Sequence, residues 1–362
     1  MKVRETWIDY ARGIAIILVL YRHVFEGIKG AGLSLQGYSY LENFNIMFFS
    51  FRMPLFFIVS GVFVANSLKK RGVQSFIATK ARTILYPYFL WGALQITLQL
   101  AFSRYVNKPP EPKDYLYLLY LPREIEQFWY LYALFNVSVL YVLIKVKLKF
   151  TTTLNIALGF ILFYISAILH QKGIHLWFLG DILHYYLFYA IGDGISRFIR
   201  DRNYLQYLES WKTLTAMLLP FIVTQIYFLW ENLEYKKGHD DITAQKFEFV
   251  EFFQPLSFLV IALVGCAFII NLSFVFQKNR LVNWLHKLGS YSLYIYVAHV
   301  IVLAATRVLM TRFLGVNNVP VLLISGIIAG LLIPIILYKI AARLNIRWLF
   351  SLEEKKTTLQ NA

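Results

Sequence analysis

Apolar runs of about 18 to 24 residues, separated by polar segments, follow one another along the whole 362-residue chain. Each run is long enough to cross a bilayer core of roughly 30 Å as an α-helix, which rises 1.5 Å per residue. The pattern predicts an all-α, polytopic membrane protein, a bundle of about ten transmembrane helices. The predicted spans are 8–28, 44–67, 83–104, 128–145, 153–170, 176–197, 213–232, 252–271, 290–311 and 319–341.

The same pattern predicts the domain organisation. Residues 1–345 are expected to form one membrane-embedded domain, and 346–362 a short cytoplasmic tail. Most cytoplasmic connections are short, but three outer connections are long: 29–43, 105–127 and 233–251. Loops of that length tend to be functional or disordered, so 105–127 is either a substrate-facing loop or an interfacial one.

Composition and charge agree with a membrane protein. Of all residues 58% are apolar and 15% are charged, whereas soluble domains contain about a quarter of charged residues. The net charge of +16 does not indicate nucleic acid, because the basic residues are spread over the connections. With ten helices, 22 Lys and Arg residues fall on the side that holds both termini and 11 on the other. The positive-inside rule then predicts cytoplasmic termini in the inner (cytoplasmic) membrane.

The first predicted helix carries ionisable residues at both ends of the apolar stretch "RGIAIILVLYRHV" (12–24). Arg12 and His23 are eleven residues apart, which returns to within about 20° of the same face, roughly 16 Å further along the axis. An ionisable group at membrane depth costs several kcal/mol unless it faces a cavity or a partner, so His23 is a functional candidate. Arg12 is either functional or paired with Asp9, and Arg22 is expected to extend to the outer interface.

Two further polar residues are predicted near His23, and a third candidate lies in the ninth span. Arg52, in the second span, is expected at the level of His23 and close to Pro54, which should kink the helix. Glu26 follows His23 by three residues and is a candidate to orient its imidazole. His299 lies in the middle of the ninth span, as either a core or a cavity residue. His23, Glu26 and Arg52 outline a candidate site in the outer half of the membrane.

The sequence gives little indication of metal chemistry or of a serine nucleophile. Cys266 is the single cysteine, without Cys or His at ligand spacing nearby, so no metal is predicted and a core residue is expected. Asp181 and His184 share a helix face near His175, where an interfacial polar cap is expected rather than catalysis. No nucleophile elbow or phosphate-binding glycine loop occurs.

Five segments, spread over nearly the whole chain, have the order and spacing of a known family. They are Arg12-x10-His23, "MPLFFIVSG" (53–61), "FIATKARTILYPYFLW" (76–91), "FWYLYALF" (128–135) and "LGSYSLYIYVAHV" (288–300). Together they resemble the acyltransferase-3 family of integral-membrane O-acyltransferases. The opening "WIDYARGIAIILVLYRH" is most similar to the branch that contains sugar O-acetylases.

The resemblance implies ten helices and transfer of an acyl group, most simply acetyl, from cytoplasmic acyl-CoA to a hydroxyl of a cell-envelope or exported glycan at the outer face. The family's arginine and histidine of the first helix correspond to Arg12 and His23. The family's basic pair before the third helix is less well matched, because Lys80 and Arg82 are two residues apart instead of three. Arg12, Lys80 and Arg82 are accordingly the candidate donor-binding residues.

Elementary physical chemistry agrees with these roles. A basic cluster beneath Arg12 would attract the phosphates of CoA, although positive-inside topology explains it equally well. His23 is a candidate general base or acyl carrier, and Arg52 a candidate partner of an oxyanion or of a charged substrate group. The shared face of Arg12 and His23 predicts one continuous cavity. The candidate catalytic residues are His23, Arg12 and Arg52, and the candidate acceptor-binding residues are Glu26, Arg52, Trp129, Tyr130 and His299.

A transporter or exporter of a polysaccharide or lipid-linked sugar is the alternative function, with the buried charges lining a path. Many transporters contain broken helices at corresponding positions of two halves, and the prolines here show no such symmetry. The expected partners are acyl-CoA, a hydroxyl-bearing acceptor and the lipid bilayer, with a homo-oligomer or a partner protein left open. The acyl group is acetyl or a longer or dicarboxylic one.

Overall fold

A computed structural model describes residues 6–352 of the protein. Within that range the chain forms helices and connections and no β-strand, which confirms the predicted all-α fold. The α-helices are α1 (Trp7–Gly30), α2 (Ser39–Met47), α3 (Phe49–Gly61), α4 (Val64–Lys80), α5 (Tyr86–Ala101), α6 (Tyr117–Tyr120), α7 (Trp129–Lys147), α8 (Thr152–Gln171), α9 (Phe178–Ile195), α10 (Arg202–Leu208), α11 (Trp211–Gly238), α12 (Ile242–Lys246), α13 (Phe249–Phe253), α14 (Pro255–Asn279), α15 (Asn283–Ser290), α16 (Ser292–Val308) and α17 (Val319–Arg343).

Short π and 3-10 segments extend or join these helices. The π turns Ala81–Leu85 and Leu309–Phe313 precede α5 and follow α16, so both helices continue beyond their α-helical limits. The long connection 105–127 consists largely of short helical turns. The 3-10 segments are Ser103–Tyr105, Pro112–Leu116, Pro122–Phe128, Phe198–Arg200 and Arg347–Leu349.

Each of the ten predicted spans coincides with a helix, which confirms the polytopic architecture. The spans predicted first, third and sixth coincide with α1, α5 and α9, whereas the other seven correspond to segments that are long and apolar enough to cross a membrane. Among the described residues these segments are Ser39–Gly61, Pro122–Lys147, Thr152–Gln171, Trp211–Gly238, Pro255–Asn279, Ser292–Phe313 and Val319–Arg343. The number of ten is therefore approximate.

The second predicted span, 44–67, is interrupted where the sequence gives no sign of it. Its helices α2 and α3 meet at Phe48, whose ψ of 12° interrupts the helix, whereas Pro54 lies inside α3. The interruption lets α2 pack against α1, where the carbonyl of Leu41 accepts a hydrogen bond from Tyr21 Oη (2.9 Å).

Helix α1 is surrounded by other helices and contacts α3, α14, α15, α16 and α17. Its first turn is held by the ring of Trp7, which stacks on Phe274 with centroids 4.8 Å apart. The backbone N–H of Trp7 also donates to Gln277 Oε1 (2.7 Å). Because other helices cover it, the polar side chains of α1 face protein instead of lipid, where each would cost several kcal/mol.

The outer helices expose large apolar side chains. Leu219 in α11 is 69% exposed and Ile324 in α17 is 59% exposed. Many other large apolar side chains of these two helices are also exposed. Such an extensive apolar surface would be unfavourable in water and suits the hydrocarbon core of a bilayer. The chain is thus a multi-pass membrane protein.

The two ends of the bundle differ in their connections. The end that holds the start of α1 and the end of α4 is called the terminal end. The opposite end holds the last turn of α1 and the connections 105–127 and 233–251, and is called the long-loop end. Asn107 attaches the first of these connections to α1, because its Nδ2 donates to the carbonyl of Gly27 (3.2 Å). The charge distribution predicts that the long-loop end faces outward.

Part of the predicted tail 346–362 packs against the bundle. Phe350 is buried, with its ring centroid 5.2 Å from that of Trp91, and the backbone N–H of Leu352 donates to the carbonyl of Arg82 (3.2 Å). The remainder of the predicted tail, 353–362, lies outside the described residues.

Helices α3 and α9 cross at a pair of glycines. A Cβ atom at Gly61 would lie 2.1 Å from the carbonyl oxygen of Tyr189, and one at Gly192 would lie 2.1 Å from that of Ile58. Neither position has room for a side chain, so the two backbones are in direct contact. This crossing fixes α3, which carries Arg52.

Gly61→Ala is expected to lower the unfolding temperature of the protein in detergent, because the added methyl group must displace the backbone of α9. Overpacking of this kind costs about 1–3 kcal/mol. Gly180→Ala is the matched control, since a Cβ there meets no atom within 4 Å and alanine favours the helix. Equal unfolding temperatures for the two variants would contradict the close crossing.

Single cysteines introduced as Lys113→Cys and Lys147→Cys test the orientation. Both positions are exposed, and the positive-inside rule places the first outside the cell and the second in the cytoplasm. A membrane-impermeant maleimide added to whole cells is expected to label only Lys113→Cys. The native Cys266 is buried and should give no background. Labelling of both positions from one side would refute the predicted topology.

Candidate active site

A cavity of about 1000 Å³ opens at the long-loop end of the bundle. Its volume is at the upper end of the range for small-molecule sites, about 300–1,000 Å³. Segments far apart in the sequence form its wall, including α1, α3, α5, α16 and both long connections. The polar residues that line it include Arg22, His23, Glu26, Asn45, Arg52, Gln95, Gln99, Lys108, Arg123, Glu126, Gln127, Trp129, Lys246, Glu248, Tyr296 and Arg307.

Two histidines meet at this cavity. His23 lines it from α1, and the ring of His299 on α16 lies against His23 with centroids 5.1 Å apart. His299 is buried, and its Nδ1 lies 2.7 Å from the carbonyl oxygen of Tyr296. Because a carbonyl oxygen only accepts, Nδ1 carries the proton and Nε2 is an acceptor in the neutral ring. Nε2 has no hydrogen-bond partner within residues 6–352, so it is available to His23 or to a ligand.

Arg52 is buried in the wall of the same cavity, with 3% of its surface exposed. Its Nη1 donates to the carbonyl of Leu18 (3.1 Å) and to Asn45 Oδ1 (3.2 Å). The Nδ2 group of Asn45 in turn donates to Glu26 Oε1 (3.2 Å). The structure therefore links Glu26 to Arg52 through Asn45, whereas the sequence suggested a contact between Glu26 and His23.

Arg22 also lines the cavity, which corrects the expectation that its side chain extends to the outer interface. Its guanidinium carbon lies 5.1 Å from the centroid of the Phe49 ring, and that of Arg52 lies 5.4 Å from the same centroid. The cavity therefore extends around α1 beyond the side that carries His23. Two guanidinium groups lie near one aromatic ring at the cavity wall.

Trp129 lines the cavity at the start of α7, with the guanidinium carbon of Arg123 4.3 Å from its ring centroid. Arg123 pairs with Asp181 (2.6 Å), and His184 Nε2 lies 3.1 Å from Glu251 Oε1. Asp181 and His184 are only 3% and 2% exposed. Asp181 and His184 are buried beside Arg123 and Glu251, and do not form an interfacial cap, because the connection 233–251 and the segment before α7 cover them.

Tyr130, a candidate acceptor-binding residue, does not line the cavity in this conformation. It is buried and packs against the rings of Phe56, Phe57 and Tyr296, with centroids 5.3–5.4 Å away. Tyr296 lines the cavity and also contacts His299 at 5.7 Å. These rings, Phe56, Phe57, Tyr130 and Tyr296, form an aromatic layer next to the cavity.

The candidate donor-binding residues lie towards the terminal end. Arg12 is half-buried and within electrostatic range of both Lys80 and Tyr130. Lys80 is half-buried, and desolvation, with the nearby charges of Arg12 and Arg71, lowers its pKa to about 8. Arg82 is exposed at the π turn that follows. This end of the bundle offers several cations to an anionic ligand.

The cavity at the long-loop end is lined by His23 but not by Arg12, which corrects the expected continuous cavity between the two residues. Tyr130, which is buried and within electrostatic range of Arg12, packs against Tyr296 of the cavity wall.

Several residues that line the cavity are not predicted from the sequence. Asn45 precedes Arg52 by seven residues, close to two helical turns, so their proximity has a sequence signal that the break at Phe48 obscures. Arg123 and Arg307 line the cavity from distant segments. Only tertiary packing brings them to α1, so periodicity could not reveal them.

The structure gives no support for a metal centre in the part of the chain that it describes. No group of three His, Cys, Asp or Glu side chains within 6–352 is placed to hold a metal ion. Cys266 is buried, with its Sγ 3.7 Å from the carbonyl oxygen of Phe51. It is a core residue, as the sequence suggests.

Comparison with known proteins identifies the family. Searches of curated proteins and of solved structures each found no match. The family model Acyl_transf_3, described as an acyltransferase domain, matches residues 5–339, which include α1, all the cavity-lining segments and most of α17. This match supports an acyltransferase over the transporter considered from the sequence. The chain belongs to the acyltransferase-3 family and is an integral-membrane acyltransferase.

Proposed function

We propose that this acyltransferase transfers an acyl group, most simply acetyl, from cytoplasmic acyl-CoA to a hydroxyl of a cell-envelope or exported glycan. The main support is the position of His23, which lines a large cavity at the long-loop end on the same helix as Arg12 at the basic terminal end. The acceptor enters at the long-loop end and the donor binds at the terminal end. Both termini are cytoplasmic in the inner membrane.

The distance along α1 suits an acyl-CoA donor. Arg12 and His23 are separated by roughly 16 Å of helix. In acyl-CoA an extended pantetheine chain separates the phosphates from the thioester, so phosphates held by Arg12 and Lys80 would allow the thioester to approach His23. Tyr130 lies between the two levels in contact with Tyr296, so its side chain has to move for the reaction.

His23 supplies the base in this reaction. Its imidazole accepts the proton of the acceptor hydroxyl while the hydroxyl oxygen attacks the thioester carbonyl. The new C–O bond forms, the C–S bond breaks, and the imidazolium returns the proton to the thiolate of CoA. His299 Nε2 lies beside His23 as a free acceptor, and in this role it stabilises the second N–H of the imidazolium.

His23→Ala is expected to abolish transfer of labelled acetyl from acetyl-CoA to envelope glycan while donor affinity stays unchanged. A general base contributes about 10²–10⁴-fold, mainly in the transition state. His175→Ala, at an exposed histidine of the same end, is the matched control and should keep wild-type turnover. A folded His23→Ala protein with wild-type turnover would exclude the catalytic role.

Two controls separate this mechanism from its rivals. Incubation of the protein with labelled acetyl-CoA but no acceptor should leave His23 unlabelled, whereas an acyl carrier would become labelled. Movement of unmodified glycan across vesicles without turnover would favour an exporter. Mass spectrometry of envelope glycans from cells with and without the gene identifies the acceptor and the acyl group.

Arg12→Ala and Lys80→Ala are expected to raise the KM for acetyl-CoA about tenfold or more and to leave the acceptor KM unchanged, because a charge-assisted contact contributes about 1.5–3 kcal/mol. Arg12→Ala should also lower kcat, since the thioester loses its position. Lys287→Ala, an exposed cation of α15 at the same end, is the control.

The comparison requires equal amounts of folded protein, so unfolding temperatures in detergent are measured first. Unchanged donor KM in both Arg12→Ala and Lys80→Ala would place the donor site elsewhere.

A further inference from the structure

The wall of the cavity at the long-loop end is basic. Six Lys or Arg side chains line it against three Glu side chains. One of the six, Arg123, already pairs with Asp181. The remaining excess of positive charge would attract an anionic ligand into a space with low-dielectric walls.

Arg52 carries a buried charge that is incompletely satisfied. It is 3% exposed, and its guanidinium donates hydrogen bonds to two neutral groups, the carbonyl of Leu18 and Oδ1 of Asn45. Its Nη2 has no partner among the described residues. A buried cation that no carboxylate of the described residues contacts directly is costly, and residues of this kind inside membranes usually mark functional sites.

Arg22 adds a second positive charge at the same place. Both guanidinium carbons lie near the ring of Phe49, at 5.1 and 5.4 Å from its centroid. Glu26 is joined to Arg52 through Asn45, and Glu248 is in range of Arg22 but also of two other cations. An anion bound between the two guanidinium groups would reduce both their repulsion and the cost of burying Arg52.

We propose that Arg22 and Arg52 bind an anionic group of the acceptor, a phosphate or carboxylate on the glycan, and thereby place a nearby hydroxyl at His23. This inference rests on the proposed acyl transfer. Arginine suits the role because its planar fork matches both anions in two-point contacts. Both arginines lie within electrostatic range of His23, so a sugar ring anchored there is next to the base.

The location of Arg22 and Arg52 favours binding of the acceptor over binding of the donor. The cations assigned to CoA, Arg12 and Lys80, lie beyond the aromatic layer towards the terminal end. The charges of Arg22 and Arg52 are present before any reaction, so they attract a permanent anion, whereas an oxyanion exists only in the transition state.

The test measures ligand binding to the full-length protein in nanodiscs of zwitterionic lipid. The probes are glucose 1-phosphate, glucuronate, glucose and CoA, and dissociation constants come from ligand-dependent shifts of the unfolding temperature. Glucose 1-phosphate or glucuronate should bind about tenfold or more tightly than glucose. Arg52→Gln and Arg22→Gln should each lower that affinity about tenfold or more and leave the affinities for glucose and CoA unchanged.

Two further variants sharpen the result. Arg52→Lys keeps the positive charge but loses the planar guanidinium that makes two-point contacts. Its affinity for the anionic sugars should lie between those of the wild type and Arg52→Gln. Arg202→Gln is the control for removal of a positive charge, since Arg202 is exposed in α10 and does not line the cavity. If Arg52→Gln does not fold, the half-buried Arg22 decides the test through Arg22→Gln.

Each outcome is decisive. A preference for glucose 1-phosphate supports a phosphate-bearing acceptor, and a preference for glucuronate supports one rich in uronic acid. Equal affinities for neutral and anionic sugars overturn the proposal, as do unchanged affinities in both glutamine variants. Loss of CoA affinity would assign the pair to the donor, and loss of kcat on envelope glycan without any loss of sugar affinity would assign it to the oxyanion.

The proposed function is tested separately by His23→Ala with labelled donor. A protein that transfers acetyl groups but shows no preference for anionic sugars refutes only the anion site. A protein that binds anionic sugars through these arginines but transfers no acyl group refutes only the proposed function.

Discussion

The cost of placing charged side chains at membrane depth is the constraint that organises this bundle. Helix α1 carries Arg12, Arg22, His23 and Glu26, and against lipid the ionised groups would cost several kcal/mol each. The helix is therefore surrounded by α3 and α14 to α17, while helices such as α11, with exposed side chains like Leu219, face the bilayer. Where apolar packing cannot cover the polar face of α1, a cavity remains.

The aromatic layer follows from the same constraint. A continuous polar path along α1 from Arg12 to His23 would let water and ions cross the membrane. Tyr130 and its neighbouring rings pack tightly beside the cavity, while Arg12 and His23 stay on one helix at a fixed separation. In the proposed reaction an acyl group on a flexible chain would need only a narrow apolar passage, which the displacement of one ring would provide. The packing of these rings thus fits a cavity that is lined by His23 and not by Arg12.

The sequence predicts the parts of this arrangement that depend on local periodicity. The ten apolar runs predict the helices, and the spacing of Arg12 and His23 marks α1 as the helix with the candidate catalytic residues. Placement around α1 depends on tertiary contacts, so the sequence could not supply it. Arg22 is an example. The sequence predicts its angle from His23 around the axis of α1. The width of the cavity that both residues line depends on α3 and the long connections. The helix break at Phe48 is likewise not predicted, because no glycine or proline occupies that position.

Buried charges differ in how far their hydrogen bonds are satisfied, as a comparison of Asp193 with Arg52 shows. Asp193 is buried, and Oδ2 of its carboxylate accepts from Tyr141 Oη (2.7 Å), from Thr152 Oγ1 (2.9 Å) and from the ammonium of Lys145. Such a network joins three helices and leaves that oxygen no capacity for a ligand. Arg52 is equally buried, yet part of its guanidinium has no partner among the described residues and it lines a cavity. The anionic group proposed for the acceptor would give the guanidinium of Arg52 the kind of charged partner that Asp193 already has within the fold.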